Sequence, residues 1–388
     1  MSCQSCGSLD LKSVLDLGSQ PICNKFSSSP DAPEKRYPLR LVRCEHCGLI
    51  QLSDVPPGSE VFDSNFNYLS SSSKGVVTHY TNVSESLVRR YKLGASDLVL
   101  DIASNDGVLL RPFKEQGIKV LGIEPVERIA AVATASGVVT IAARFEDTAL
   151  EANPTLITAM DVLAHTDTVH PFLDNLCRLM TKTGAPFVCQ SQYFPASMAR
   201  TEYDTIYHEH ARYFSVRSFQ NLLVRHGIQV DDVEFNDFYG GSFIAHCSRG
   251  TKVKRFSETH SFDDVACKDF AKKARRSMEE LVKLLASFKA EGKGIAGIGA
   301  PMKSSTLLNS SGIGPDLVDY LAEVNPLKIG TWSPGVHIPV VAEEHFFSNP
   351  PDVALVLSWN FAEQIIDAYH NRGFEGKFVV PIPEPRVV

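Results

Sequence analysis

Residues 203–215 of this 388-residue chain read "YDTIYHEHARYFS", a run that packs three tyrosines, two histidines and a glutamate into one short segment. Such a run suits a metal site, a general base with supporting groups, or a helix start rich in polar aromatics. The metal reading is the weakest. "HEH" sets His208 and His210 two apart, so both face one side only in an extended segment, whereas HExxH sets its ligands one helical turn apart. No third ligand can be named beside them. An imidazole, with an ordinary pKa of about 6.5, is available as a base at cellular pH.

A second cluster is made of thiols. Of nine cysteines, Cys3, Cys6, Cys44 and Cys47 form "CQSC" and "CEHC", each followed by glycine, and the other five are scattered. Two CxxCG knuckles offer four thiolates with backbone N–H groups turned toward the sulfurs, which suits tetrahedral zinc. Disulfides are the alternative, disfavoured by paired spacing and by a reducing compartment. Four protein ligands leave no open position, so the expected role is structural, with His46 facing solvent.

A third group lies in "DIASNDGVLL": Asp101, Ser104, Asn105, Asp106 and Gly107. Glu124 ends the next strand about twenty residues on, where a carboxylate can accept both hydroxyls of an adenosine ribose. One glycine stands where the dinucleotide fingerprint has three, so close approach of a pyrophosphate is not provided. S-adenosylmethionine has no pyrophosphate, and its sulfonium suits an acidic turn. A methyltransferase is therefore favoured over a dehydrogenase, with a nucleotide-free α/β domain as the bland reading. A fourth group, "GIGAPMKSST", offers Lys303 and hydroxyls such as Ser304 to a phosphate at a helix N-terminus; an ordinary glycine turn is equally open.

These groups need elements to hold them. "DLVLDI", "IKVLGIEP", "LITAMDVL" and "APFVCQSQYF" read as buried strands with helices between, the first half of a doubly wound sheet. Strand, glycine turn and helix recur from "KGIAGIGA", and strand-like runs follow at "VALVLSW" and "KFVVPIP". The long charge-mixed stretch before them reads as a helix joining domains. "FDSNFNYLSSSSKGVVTHY" is a linker or an aromatic-bearing lid. The expected architecture is α/β, with a zinc-binding domain over 1–75, a Rossmann-like S-adenosylmethionine domain over 76–250, and a helical connector plus a second Rossmann-like, substrate-binding domain over 251–388. A composition of 44% hydrophobic and 21% charged residues is ordinary for globular chains. The net charge of -7 and pI near 6.0 argue against a nucleic-acid surface. No apolar run spans a bilayer and the N-terminus lacks a leader pattern. The chain is expected to be cytoplasmic, away from membranes, and monomeric.

The ordered motifs "CxxCG…CGLIQL", "FDSNFNYLSSSS", "DIASNDGVLL", "GIEP", "DVLAHTD", "YDTIYHEHARYFS", "YGGS", "GIGAPMKSSTLLN", "NPLKIGTWSPGVHIP" and "LSWNFAEQII" resemble the sugar C-methyltransferases of deoxysugar biosynthesis. The type member of that family methylates carbon 3 of a dTDP-linked 4-keto-sugar. The resemblance runs from Cys3 to the final "FVVPIP". It implies three domains, S-adenosylmethionine as methyl donor, structural zinc, and a nucleotide-linked keto-sugar as acceptor. By position it implies His210 as general base, Tyr207 and Glu209 as assisting neighbours, Tyr68 and His165 as further active-site residues, and Gly240 and Gly241 of "YGGS" as substrate-binding; His208 receives no role.

The chemistry is coherent. Methylating carbon needs a carbanion equivalent, and a ketone beside the C–H lets the charge become an enolate. A base must take the proton, and donors such as Tyr207 or His165 must meet the oxyanion, while Glu209 either orients an imidazole or binds a hydroxyl. The chain departs from its relatives at Tyr239, where "HGGS" is common, at Asp101 and Ala103, where Glu and Gly are usual, and at Glu323, where Asp is frequent. A non-sugar ketone acceptor, a nicotinamide-dependent sugar oxidoreductase and a zinc-ribbon interaction module are the competing functions.

Overall fold

The computed structural model describes residues 1–63, 66, 68–260 and 262–388. Three sheets organise it. The first is antiparallel and four-stranded: Leu11–Pro21, Arg36–Cys44, Ile50–Leu52 and, at its edge, Arg212–Tyr213. That last strand comes from far along the chain, where Ile50 pairs with Tyr213 and Gln51 with Arg212. The "YDTIYHEH" run is accordingly no helix start. A short 3-10 turn at Tyr203–Thr205 is followed by irregular backbone that delivers residues 212–213 to the zinc-binding sheet.

The second sheet has seven strands in the order Ile228–Asn236, Ser242–Arg249, Phe187–Gln192, Leu156–Met160, Leu98–Ile102, Lys119–Glu124 and Thr140–Ala142. Its central strands are buried on both faces, as a parallel sheet covered by helices requires. The chain winds outward from Leu98–Ile102 to one side, then returns to build the other. The reversal lies between Leu98–Ile102 and Leu156–Met160, and ligands of open α/β sheets bind at the carboxyl ends of strands at such a point.

The third sheet runs Val340–Ala342, Tyr320–Glu323, Ile295–Ile298, Val353–Val356, Lys377–Val380 and Arg386–Val387, parallel except for the last strand. Its reversal falls between Ile295–Ile298 and Val353–Val356, beside the "GIGAPMKSST" turn. The joining helix spans Asp264–Ala290 and is capped by Asp263, whose side chain accepts from the Ala266 N–H. One apolar cluster contains Leu15, Leu41 and Ile50 of the first sheet, Phe194, Tyr203 and Ile206, Phe270, Leu281 and Leu285 of that helix, and Leu307 and Leu321. The first and third sheets share this core, while a second cluster joins Cys44 of the first sheet to Ile102, Ile157, Phe187 and Phe243 of the second; of residues 203–213 all but the half-buried His210 are buried. In the serine-rich stretch, Ser70–Ser72 form a 3-10 turn and helix Lys74–Tyr91 follows; Ser64, Asn65 and Asn67 lie outside the described residues.

Candidate active site

The four knuckle cysteines come together as expected. Their sulfurs lie within 4.8 Å of one another, with Cys3–Cys47 at 3.5 Å and Cys6–Cys44 at 3.6 Å. A zinc tetrahedron with Zn–S bonds of about 2.3 Å has edges of about 3.8 Å, so four buried or half-buried thiols at this spacing fit the ion. His46 is exposed.

At the central switch point the turn after Leu98–Ile102 is strained. Ala103 and Asn105 adopt left-handed backbone (φ 56° and 48°) beside Gly107 (φ 81°), a conformation that non-glycine residues hold only where the surroundings over-determine it. A side chain at Gly107 would also meet Val138 at 3.0 Å. Glu124 accepts the Asn105 N–H at 3.0 Å and the Val126 N–H at 2.9 Å, and burial pushes it up to about 7. Each oxygen keeps a second acceptor site for a ribose hydroxyl. Among the described residues Ser104 Oγ and Asp106 Oδ1 are buried with no partner, which fits a polar ligand seated on this turn. Asp101 faces along the sheet, where it accepts from Thr158 Oγ1 at 2.7 Å.

The same turn holds the serine loop across it. Ser70 N–H donates to Asn105 Oδ1 at 2.9 Å, Asn105 Nδ2 donates to the Tyr68 carbonyl at 3.2 Å, and the Ser71 N–H and hydroxyl donate to Asp106. Tyr68 is thereby placed over the switch point. Asp161, at the end of the neighbouring strand with φ 59°, is a residue that sequence reasoning missed. It accepts from Tyr80 at 3.1 Å and Gln190 at 2.6 Å, while Gln190 also bonds His79, whose ring stacks on Phe238 at 3.7 Å. Its signal was present as the acid closing "LITAMD".

The histidine–tyrosine cluster lies on the segment that enters the first sheet. His210 Nδ1 is 3.1 Å from the Thr205 carbonyl, so Nδ1 carries the proton and donates it, and Nε2 presents a lone pair, here met by the Tyr207 hydroxyl at 3.1 Å. His165 is fixed in the same way by the Glu209 carbonyl at 2.8 Å, and the two rings are 4.7 Å apart. Burial, and for His210 the neighbouring His165, holds both neutral: His165 is pushed down to about 4 and His210 well below its ordinary value. Two expectations need correction. A neutral His165 with its proton on Nδ1 accepts at Nε2, so it is no donor to an oxyanion. Glu209 does not orient His210; its Oε2 accepts from the Cys23 thiol at 3.2 Å and its Oε1 is buried without a partner, because the carboxylate is turned away from the ring. His208 packs near Tyr37 instead, so the histidine pair does not converge on a metal.

On the C-terminal side Lys303 Nζ sits 5.1 Å over the Trp359 ring. The indole N–H donates to Asp204 Oδ2 at 2.6 Å, and Thr306 Oγ1 donates to the Ile206 carbonyl at 2.6 Å. Ser304, expected to meet substrate, instead donates to the Pro301 carbonyl at 2.6 Å. Gly240 and Gly241 likewise have a packing reason: side chains there would meet Arg200 and Glu202 at 2.9 Å, and Ala196 at 3.1 Å. The residue of that turn facing the site is Tyr239, whose hydroxyl is 3.1 Å from that of Tyr68.

Three family models match in order: "Putative zinc binding domain" over residues 3–62, "Methyltransferase domain" over 80–233, and "C-methyltransferase C-terminal domain" over 239–383. The C-methyltransferase NovU of Streptomyces niveus is 32% identical over 409 aligned residues, covering 100% of this chain and 96% of that protein. Among solved structures, magnesium protoporphyrin IX methyltransferase from Synechocystis PCC 6803 with bound SAM is 17% identical, with TM-score 0.36 over 45% of this chain and 80% of its own. A S-adenosylmethionine-dependent methyltransferase from Clostridium acetobutylicum ATCC 824 is 12% identical, with TM-score 0.37 over 45% and 92%. Among the described residues no helix is long and apolar enough to cross a membrane.

Proposed function

Because this chain belongs to the S-adenosylmethionine-dependent C-methyltransferase family, we propose that it methylates carbon 3 of a nucleotide-linked 4-keto-deoxysugar, with His210 as the base. S-adenosylmethionine is its methyl donor and the four-cysteine site its zinc site. The bound donor supplies an electrophilic methyl on sulfonium and leaves as the neutral thioether.

The observation carrying the reading is the tautomer of His210. A neutral imidazole, protonated on Nδ1 against the Thr205 carbonyl, offers Nε2 to a C–H. As the proton reaches Nε2, the C–H electron pair passes into the ketone and gives an enolate, and the enolate carbon then takes the methyl. Tyr207 covers the lone pair in the absence of acceptor. An acceptor C–H displaces that phenol, freeing its O–H. Ser104, Asp106, Glu124 and Asp161 line the switch point, and Lys303, over Trp359, neighbours His210. The arrangement suits a sugar held between a methyl donor and a phosphate-bearing nucleotide. Glu209, with one unpartnered oxygen, is left for a polar group of the acceptor.

Purified protein given S-adenosylmethionine labelled in the methyl group transfers label to a 4-keto-sugar nucleotide, and His210→Asn removes turnover while S-adenosylhomocysteine still binds. Full activity in that variant removes His210 from the mechanism.

A further inference from the structure

The two histidines of the cluster supply no donor for the oxyanion that deprotonation creates. His210 and His165 are neutral, and each spends its N–H on a backbone carbonyl. The Tyr207 hydroxyl is held on His210 Nε2 until the acceptor displaces it, and the Tyr213 hydroxyl is buried. Removing a preorganised oxyanion donor typically costs a reaction about a hundredfold or more, so an enolate chemistry needs one.

We propose that Tyr239 is a catalytic residue that donates its O–H to the enolate oxygen, with Tyr68 behind it. This rests on the enolate reading above. Tyr239 holds an aromatic side chain in left-handed backbone, φ 50°, a genuine outlier for a bulky residue. Gly240 and Gly241 continue the turn at φ 82° and 126°, packed so closely on Arg200, Glu202 and Ala196 that side chains do not fit. The turn is therefore pinned in the one shape that brings the phenol to Tyr68. Strain of this kind persists where the surroundings enforce it, and it gathers at active sites.

The surroundings also fix direction. Tyr68 is anchored through its carbonyl to Asn105 on the cofactor turn, and its hydroxyl lies 3.1 Å from that of Tyr239. Tyr239 packs on Phe238 at 4.0 Å, which itself stacks on His79. It remains 38% exposed although buried groups lie near it, Asp161 and Tyr68 on one hand and Tyr207 on the other. Tyr68 and Asp161 belong to the switch point and Tyr207 to the histidine cluster, so Tyr239 neighbours both. Either hydroxyl of this pair can donate; in the proposed arrangement Tyr68 donates to the Tyr239 oxygen, the Tyr239 proton is free for the acceptor, and a hydrogen bond received strengthens the one given. The enolate oxygen only accepts a hydrogen bond, and no proton leaves the phenol.

The test separates deprotonation from methyl transfer. A panel of 4-keto-sugar nucleotides is incubated in deuterated water with S-adenosylhomocysteine in place of the donor, and deuterium entering the carbon beside the ketone is followed by NMR. On an acceptor that the unaltered protein exchanges, Tyr239→Phe is expected to slow exchange and kcat together by about a hundredfold. Tyr68→Phe slows them less, and the double variant resembles Tyr239→Phe because the two phenols act as a unit. S-adenosylhomocysteine affinity by calorimetry and Tm stay unchanged in Tyr239→Phe. Exchange within twofold of the unaltered protein in Tyr239→Phe, alongside its loss in His210→Asn, overturns this proposal alone; loss in Tyr239→Phe with retention in His210→Asn sinks the histidine base and leaves Tyr239 standing. Absence of exchange in the unaltered protein on every ketone overturns both.

Discussion

His210 suits the proposed role of base because two carbonyls and a protein interior decide what its neighbourhood can do. Burial and His165 depress its pKa from the ordinary 6.5, so the ring stays unprotonated as pH falls to that value. The kcat/KM profile is expected to remain level through pH 6.5 and to decline only below it; an acid limb centred above 6.5 contradicts the buried, neutral base. Glu209 makes a second single-residue prediction. Burial raises it from 4.5 to about 7, so the unfolded chain loses this proton first as pH rises. The penalty is absent below 4.5, grows between 4.5 and 7, and is fully present above 7, amounting to about 3 kcal/mol. Glu209→Gln keeps an acceptor for Cys23 without the charge. It should gain stability relative to the unaltered chain at alkaline pH and none at pH 4.5, read as the Tm difference against pH; a constant difference shows that Glu209 is not held neutral.

Three short elements place that histidine. The turn Tyr203–Thr205 presents the Thr205 carbonyl, Asp204 of the same turn takes the Trp359 indole N–H, and Thr306 bonds the Ile206 carbonyl. Trp359→Phe leaves Asp204 Oδ2 buried without its donor, at a cost of about 1–3 kcal/mol. It should lower kcat on the order of tenfold by loosening the base, with S-adenosylhomocysteine binding intact. Unchanged kcat beside a lowered Tm confines the contact to stability. At this scale the sequence is legible where chemistry is local. The CxxCG knuckles, the "SNDG" turn and the acid at Glu124 sit where spacing places them, because a turn and a strand end are properties of a few adjacent residues. Asp204 with Trp359, and Glu209 with Cys23, were invisible because each pairs residues more than a hundred positions apart. The same holds for Arg212–Tyr213, which leaves the central segment to pair with Ile50–Gln51. Ser304, Gly240 and Gly241 were read as substrate contacts, but their hydroxyl and missing side chains serve the backbone turns that carry Lys303 and Tyr239.

At the scale of the molecule the first sheet shares one core with the third and another with the second, and the candidate segment enters both, Tyr213 in the one and Phe214 in the other. The zinc-binding sheet contributes more than a fold anchor, since its strand Ile50–Leu52 holds the segment that follows His210, with the Leu52 N–H donating to the Ala211 carbonyl at 3.0 Å. Elemental analysis should find one zinc per chain at the four cysteines. Cys44→Ser is expected to release it, lower Tm and reduce methyl transfer together, because a sheet without its metal staple no longer fixes residues 211–213. Retained activity in zinc-free protein separates the metal from the site. The distances between the cofactor turn, the base and Lys303 come from the packing of sheets that sequence patterns describe only one at a time. The most direct measurement of the whole account is the position of the transferred methyl. Protein given carbon-13-methyl S-adenosylmethionine and a dTDP-linked 4-keto-deoxysugar should yield a product whose label NMR places on carbon 3, with none formed by His210→Asn; label on oxygen or nitrogen, or label on carbon 3 at an undiminished rate in that variant, contradicts it.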